Sequence, residues 1–271
     1  MTTVQKRMIV QEMFLEKLER QPNVFPAGRG IYIDGGPTAV LVVHGWTGWP
    51  GRLRSVASAL GAAGFTVHVP RLPGHGTQIT DMRRTGARDW LRRALDAYLD
   101  LRAAHETVYV VGTSMGGIIA TILAAHYEVP RIALLAPALL TRNPFVPLAP
   151  VLQWVVPRIK GDWKAENEIN PLAVEIGRAY AGYTYLSTVA QFYKMQRWGR
   201  KALRKLSSET LVIVSEKDGS VPARVVDYIE ATAHPRRFLP IVLKESNHQL
   251  ADHVEKETVS QAVVEWFTSA K

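Results

Sequence analysis

The chain has 271 residues, 47% of them apolar, which suffices for one large α/β domain or one such domain carrying an insertion. It has no cysteine, which excludes disulfides, thiolate-bound zinc and thiol catalysis; its eight histidines form no His-x-x-x-His or His-Glu-x-x-His pattern, so no metal site is expected. Lysine and arginine outnumber aspartate and glutamate by 33 to 24, a balance that attracts anionic lipid surfaces, acidic substrates or nucleic acid unless it only solvates helix faces; no nucleic-acid motif accompanies it.

Residues 1–20 alternate charges (Lys6, Arg7, Glu12, Glu16, Lys17, Glu19, Arg20) and lack the apolar stretch and cleavage site of a secretory signal. Residues 1–30 read as an N-terminal extension, either a helix packed on the domain or a partner contact. A buried strand is predicted over 39–44, followed by the loop His44-Gly-Trp-Thr-Gly48. A helix over 53–63 would bury Val56, Leu60 and Ala63. A strand follows at 65–69. The helix predicted over 89–104 carries the stripe Trp90, Leu91, Ala94, Leu95, Tyr98 and Leu101.

The strand over 107–111 runs into Gly112-Thr-Ser-Met-Gly-Gly117, and an apolar helix-like segment follows over 118–125. Gly-x-Ser-x-Gly between a strand and a helix describes a nucleophile elbow, a turn so tight that flanking side chains would collide. By composition the pentapeptide arises in roughly one chain in ten of this size, so its setting carries the argument. A further strand is predicted at 132–135.

Between 138 and 206 the alternation lapses. This stretch has helical patches at 160–168, 174–183 and 188–206 and no convincing strand. The longest apolar run, 132–156, is interrupted by Arg142, Asn143 and four prolines, so it does not read as a membrane span, and a cytoplasmic protein is expected. Its part over 145–156 suits either a lipid-facing entrance or ordinary cap core. Strands at 210–215 and 238–243, a helix at 223–232 between them and a final helix at 254–270, with Val259, Val263, Trp266 and Phe267 inward, complete the pattern. Alternating strands and helices imply a mostly parallel sheet with helices on both faces. The expected organisation is a core of residues 1–137 and 207–271, with 138–206 inserted as a small helical cap over the sheet's carboxyl edge.

A serine hydroxyl needs a base, and the base needs an orienting group. After an elbow serine the chain order is Ser, Asp or Glu, then His. Asp218 follows a strand and precedes Gly219 and Pro222; Glu216 is its rival, nearer the strand. His248 follows the last strand, whereas His253 falls in or near the final helix. Acyl transfer also needs N–H donors for the oxyanion. In this arrangement they come from the residue after the serine, Met115, and from the loop after the early strand, at Trp46. His44 is expected to brace that loop rather than act as a base.

With these residues in place the chain resembles the α/β-hydrolase superfamily over nearly its whole length. Ala39-Val-Leu-Val-Val-His-Gly-Trp-Thr-Gly48, Pro70-Arg-Leu-Pro-Gly-His-Gly-Thr77 and Gly112-Thr-Ser-Met-Gly-Gly117 are most similar to the bacterial carboxylesterase and monoacylglycerol lipase group. That resemblance implies an α/β-hydrolase fold and hydrolysis of a small-molecule carboxylic ester through an acyl-enzyme. It implies no cofactor and a helical cap that shapes an acyl pocket; transient contact with lipid surfaces is an expectation from the basic charge balance and the apolar stretch 145–156. The usual aromatic after His-Gly is Phe; Trp46 stands there instead. Thioesterases, peptidases and perhydrolases keep the same three residues, and some receptors retain the fold, so those remain alternatives.

Overall fold

The computed structural model describes residues 24–269 apart from positions 162, 166, 167 and 181. Most of the N-terminal extension, residues 1–23, lies outside the described residues, as does the end of the expected final helix at 270.

Seven strands form the main sheet in the order β1-β3-β2-β4-β5-β8-β9. They are β1 (Ile31–Ile33), β2 (Thr38–Val43), β3 (Thr66–Val69), β4 (Thr107–Thr113), β5 (Arg131–Leu135), β8 (Glu209–Ser215) and β9 (Phe238–Leu243). Every pairing is parallel except β1 with β3, which runs antiparallel with Ile31 opposite Val69. Six parallel strands need crossover connections, and the helices supply them: α1 (Arg54–Ala62), the single turn α2 (Ile79–Met82), α3 (Ala87–Ala104) and α4 (Met115–His126) come first. The segment after β5 contributes α5 (Ala149–Leu152), α6 (Pro171–Tyr180) and α7 (Leu186–Leu203), and α8 (Val225–Thr232) and α9 (Lys256–Thr268) follow.

The period-2 direction of strand side chains divides the core. Leu41, Val43, Val110 and Leu134 point to the face covered by α3, α4 and α8, among Trp90, Tyr98, Ile118 and Ile229. Val40, Val42, Val111, Leu135 and Leu211 point to the opposite face, covered by α1 and α9, among Leu60, Val263, Trp266 and Phe267. The expectation of a mostly parallel sheet with helices on both faces is borne out. Within α1 the inward residues are Val56, Ala57 and Leu60; the helix ends at Ala62, so Ala63 is exposed rather than buried.

Residues 138–206 differ from the reading in two respects. They contain a hairpin of two three-residue strands, β6 (Arg158–Lys160) and β7 (Tyr183–Tyr185), where no strand was expected. The described part of 160–168 forms no α-helix. Strands of three residues pair only with each other here and are too short for alternation to register in the sequence. The long helix α7 lies on α4, with Gly199 so close to Ile118 that a Cβ would meet its Cγ2 at 2.2 Å. Among the described residues no helix is long and apolar enough to cross a membrane.

Candidate active site

The carboxyl ends of β2, β4, β5, β8 and β9 converge on one edge of the sheet. Three non-glycine residues there hold positive φ: Thr47 (57°), Ser114 (53°) and Ala136 (43°), which follow β2, β4 and β5. This left-handed region is costly for residues with a Cβ and persists only where the surroundings impose it. At Ser114 they do. Its N–H donates to the Leu135 carbonyl (2.8 Å), and its own carbonyl accepts from Gly117 (3.0 Å) and Ala138 (3.1 Å). The helix α4 then begins at Met115, directly behind the strained residue. Glycine is required around it. A Cβ on Gly112 would lie 2.1 Å from the Gly116 carbonyl oxygen, and one on Gly116 would lie 2.0 Å from that of Val43.

Ser114 Oγ lies 2.9 Å from His248 Nε2, and His248 Nδ1 lies 2.7 Å from Asp218 Oδ2. An ionised carboxylate can only accept, so Nδ1–H donates to Asp218 and Nε2 is left to accept the serine proton. Asp218 is 2% exposed, and its other oxygen accepts the N–H groups of Ser220 (2.7 Å) and Val221 (2.9 Å). Burial pushes its pKa up, but the hydrogen bond and charge of His248 and these two amides outweigh it and hold the carboxyl below its ordinary value. Glu216 points elsewhere: it pairs with Lys244 and is half exposed. His253 also stays outside the relay. It sits between a 3-10 turn at Leu250–Asp252 and α9, where its Nδ1 accepts from the Asn247 N–H (3.4 Å).

The loop after β2 reaches the serine. A Cβ on Gly45 would stand 3.0 Å from Ser114 Cβ, so glycine lets this backbone approach the hydroxyl. Among the described residues the N–H groups of Trp46 and Met115 donate to no protein acceptor. His44 is fully buried, and its Nε2 accepts the Leu72 N–H (3.1 Å) while Nδ1 bonds the Gly45 carbonyl (3.0 Å). Burial, then the neighbouring His75, hold its pKa well below the ordinary value, so it stays neutral and serves as a brace. His75 is equally buried, between the rings of His44 and Trp90, and burial lowers its pKa to about 4.

Several supporting residues carry no motif and went unnoticed in the sequence. Glu255, at the head of α9, accepts N–H groups from Lys244, Glu245 and Ser246 and so fastens the turn before His248. Arg142 donates from Nε to the Asp218 carbonyl (2.8 Å). The α7 residues Gln196 and Arg200 donate to the carbonyls of Ala138 and Leu139, and Phe192 packs on the Trp46 ring at 5.5 Å. Arg52 joins three remote segments: it bonds Glu168 (2.7 Å) in the insertion and Asp252 (3.1 Å) four residues past His248, and it covers the Trp49 ring. Burial pushes the Glu168 carboxyl up, but the Arg52 bonds prevail and lower it. No signal in the sequence marks these partners, because most of the contacts join residues far apart along the chain and none follows a local period.

The arrangement has the parts for nucleophilic attack on a carbonyl: a strained hydroxyl, an imidazole nitrogen beside it, a buried carboxylate behind that ring and two free N–H donors nearby. The chain as a whole is similar to known proteins. The sequence model of the Alpha/beta hydrolase family matches residues 40–264. The thermostable monoacylglycerol lipase of Bacillus sp. (strain H-257) is 29% identical over 92% of this chain and 98% of its own. The carboxylesterase of Bacillus subtilis (strain 168) is 35% identical over 35% of this chain and 39% of its own. Among solved structures, the monoacylglycerol lipase of Paleococcus ferrophilus superposes with a TM-score of 0.73 at 19% identity, covering 89% of this chain and 98% of the other. A metagenome-derived lipolytic enzyme superposes at 0.81 with 22% identity, covering 91% and 100%.

Proposed function

This chain belongs to the alpha/beta hydrolase family, and from that premise we propose that it is a serine hydrolase of carboxylic esters, acting on monoacylglycerols or other short- to medium-chain esters through an acyl-enzyme. The observation that carries the reading is the unbroken relay Ser114–His248–Asp218, with contacts of 2.9 and 2.7 Å. In the proposed first step His248 Nε2 takes the Ser114 proton as Oγ attacks the ester carbonyl. The oxyanion that forms is held by the N–H groups of Trp46 and Met115. Asp218 stabilises the imidazolium. His248 then gives its proton to the leaving alcohol. In the second step His248 removes a proton from water, which attacks the acyl-enzyme carbonyl, and collapse returns the proton to Ser114 and frees the acid.

The similarity to a named monoacylglycerol lipase along nearly its full length supports the substrate class. Residues 138–206, proposed as the cap, supply Phe192 against Trp46 and hold the carbonyls of Ala138 and Leu139 beside the serine. The inner side of α7 around Phe192 therefore forms the wall where an acyl chain would lie. The test is turnover of nitrophenyl esters and monoacylglycerols of rising chain length by the intact chain and by Ser114→Ala. Loss of at least about 10⁴-fold in kcat/KM, with the fold retained, is expected; activity within tenfold of the original would remove Ser114 from the role.

A further inference from the structure

The segment after β5 turns apolar side chains to solvent. Phe145 is 66% exposed, Val151 71%, Trp154 84% and Val155 79%. Leu148 and Ile159 are about half exposed beside them. Ala149, on the inner side of α5, is buried, so the segment is anchored and its outer side chains stand clear of the body. A globular surface seldom presents so much contiguous apolar area without a partner.

The charges around this face are mainly basic. No acidic residue occurs between Glu128 and Asp162, nor between Glu175 and Glu209. Arg158 and Lys160 continue directly from the apolar segment into the hairpin. Arg158 lies over the Tyr183 ring at 4.2 Å, and Arg83, from the core, lies over Tyr185 at 4.1 Å. Past that contact, Arg83, Arg84, Arg88 and Lys194, with the acid Asp89 among them, line a groove of about 490 Å³. An apolar knob therefore sits beside a basic flank.

We infer that this face docks on the surface of an anionic phospholipid bilayer, with Phe145, Val151, Trp154 and Val155 entering the headgroup and acyl boundary and the basic flank meeting lipid phosphates. A second copy of the chain would bring like charges together. A nucleic acid would match the cations but leave the aliphatic side chains in water. A protein partner would need a hollow fitted to protruding side chains, whereas a bilayer accepts them without one. The docking concerns the outer surface alone and does not depend on Ser114, so it can fail while the hydrolase reading stands, and the reverse.

The experiment is co-sedimentation of the full chain with vesicles of phosphatidylcholine alone or of phosphatidylcholine with phosphatidylglycerol. Binding to the anionic vesicles is expected to be about tenfold tighter or more and to weaken with added salt. Trp154→Ser with Val155→Ser should lower binding to both compositions by about tenfold, and Arg158→Glu with Lys160→Glu should abolish the anionic preference. Unchanged melting temperature and unchanged hydrolysis of a water-soluble nitrophenyl ester establish that the variants fold. The inference is overturned if neither vesicle binds the chain, or if the variants bind as the original does. It is equally overturned if sedimentation velocity shows a dimer that Trp154→Ser dissociates, because a second copy then covers the face.

Discussion

The carboxyl edge of the main sheet and the segment of residues 138–206 above it are built on opposite plans. The edge is held largely by backbone: Ser114, Ala136 and Ala138 exchange main-chain hydrogen bonds across β4, β5 and β8, and Asp218 and His248 sit in turns fastened by amides. In the segment above, α7 packs on α4 and the long side chains of Arg52 and Arg142 bond across to it or from it, while the stretch after β5 leaves Phe145, Val151, Trp154 and Val155 outside. A geometry needed to within fractions of an ångström is placed on rigid elements. A surface proposed to meet acyl chains and a bilayer can be held with fewer such constraints.

The sharpest way to break this contrast is at the edge itself. Asp218→Asn preserves shape but removes the anion that orients His248, so kcat should fall by about 10³–10⁴-fold with little change in melting temperature; steady-state kinetics on a nitrophenyl ester measure it. Near-normal kcat would move the orienting role elsewhere.

The Arg52 bridge comes next. Arg52→Met strands Glu168 and Asp252 without their cation, and loss of one partner from such a buried pair costs about 3 kcal/mol or more. Denaturant unfolding should show that loss, and KM should rise more than kcat falls, since the walls loosen while the relay stays. An equal fall in kcat with KM unchanged would mean that Arg52 acts on the His248 loop alone.

The edge should also be acid-sensitive. His75 has a folded pKa of about 4 against 6.5 in the unfolded chain, so the unfolded state binds more protons between those values. Stability is therefore full above about pH 6.5 and declines as pH falls towards 4, by on the order of 3 kcal/mol. His44 pulls in the same direction. Melting temperature followed from pH 7 to 4 tests this, and His75→Asn should flatten the slope.

The smallest effect belongs to the outer face. Trp154→Ser removes a side chain with 84% exposure, so global stability should change by less than about 0.5 kcal/mol. A larger loss in chemical denaturation would show that Trp154 supports the fold.

Much of this molecule was legible in the sequence, and the reasons are local. Runs such as Ala39–Val43 and Val108–Val111 advertise buried strands by composition, and the α3 stripe does the same by its helical period. The crowding at Gly112 and Gly116 involves residues within a few positions or one neighbouring strand, so the elbow could be read from a short phrase. The hairpin at β6 and β7 could not, because three residues are too few for a period.

What the sequence determined by itself was the order of strands and helices, the elbow at Ser114 and the short set of acids and histidines that follow strands. Tertiary structure alone decided which of those side chains meet. Asp218 turns to His248 while Glu216, two residues earlier, pairs with Lys244 at the surface. Arg52 finds partners 116 and 200 residues away. Phe145, Val151, Trp154 and Val155 face outward rather than into the core. Periodicity records which face of its own element a residue occupies. The direction in which a loop side chain points, and what waits there, depends on packing between segments that no local pattern encodes.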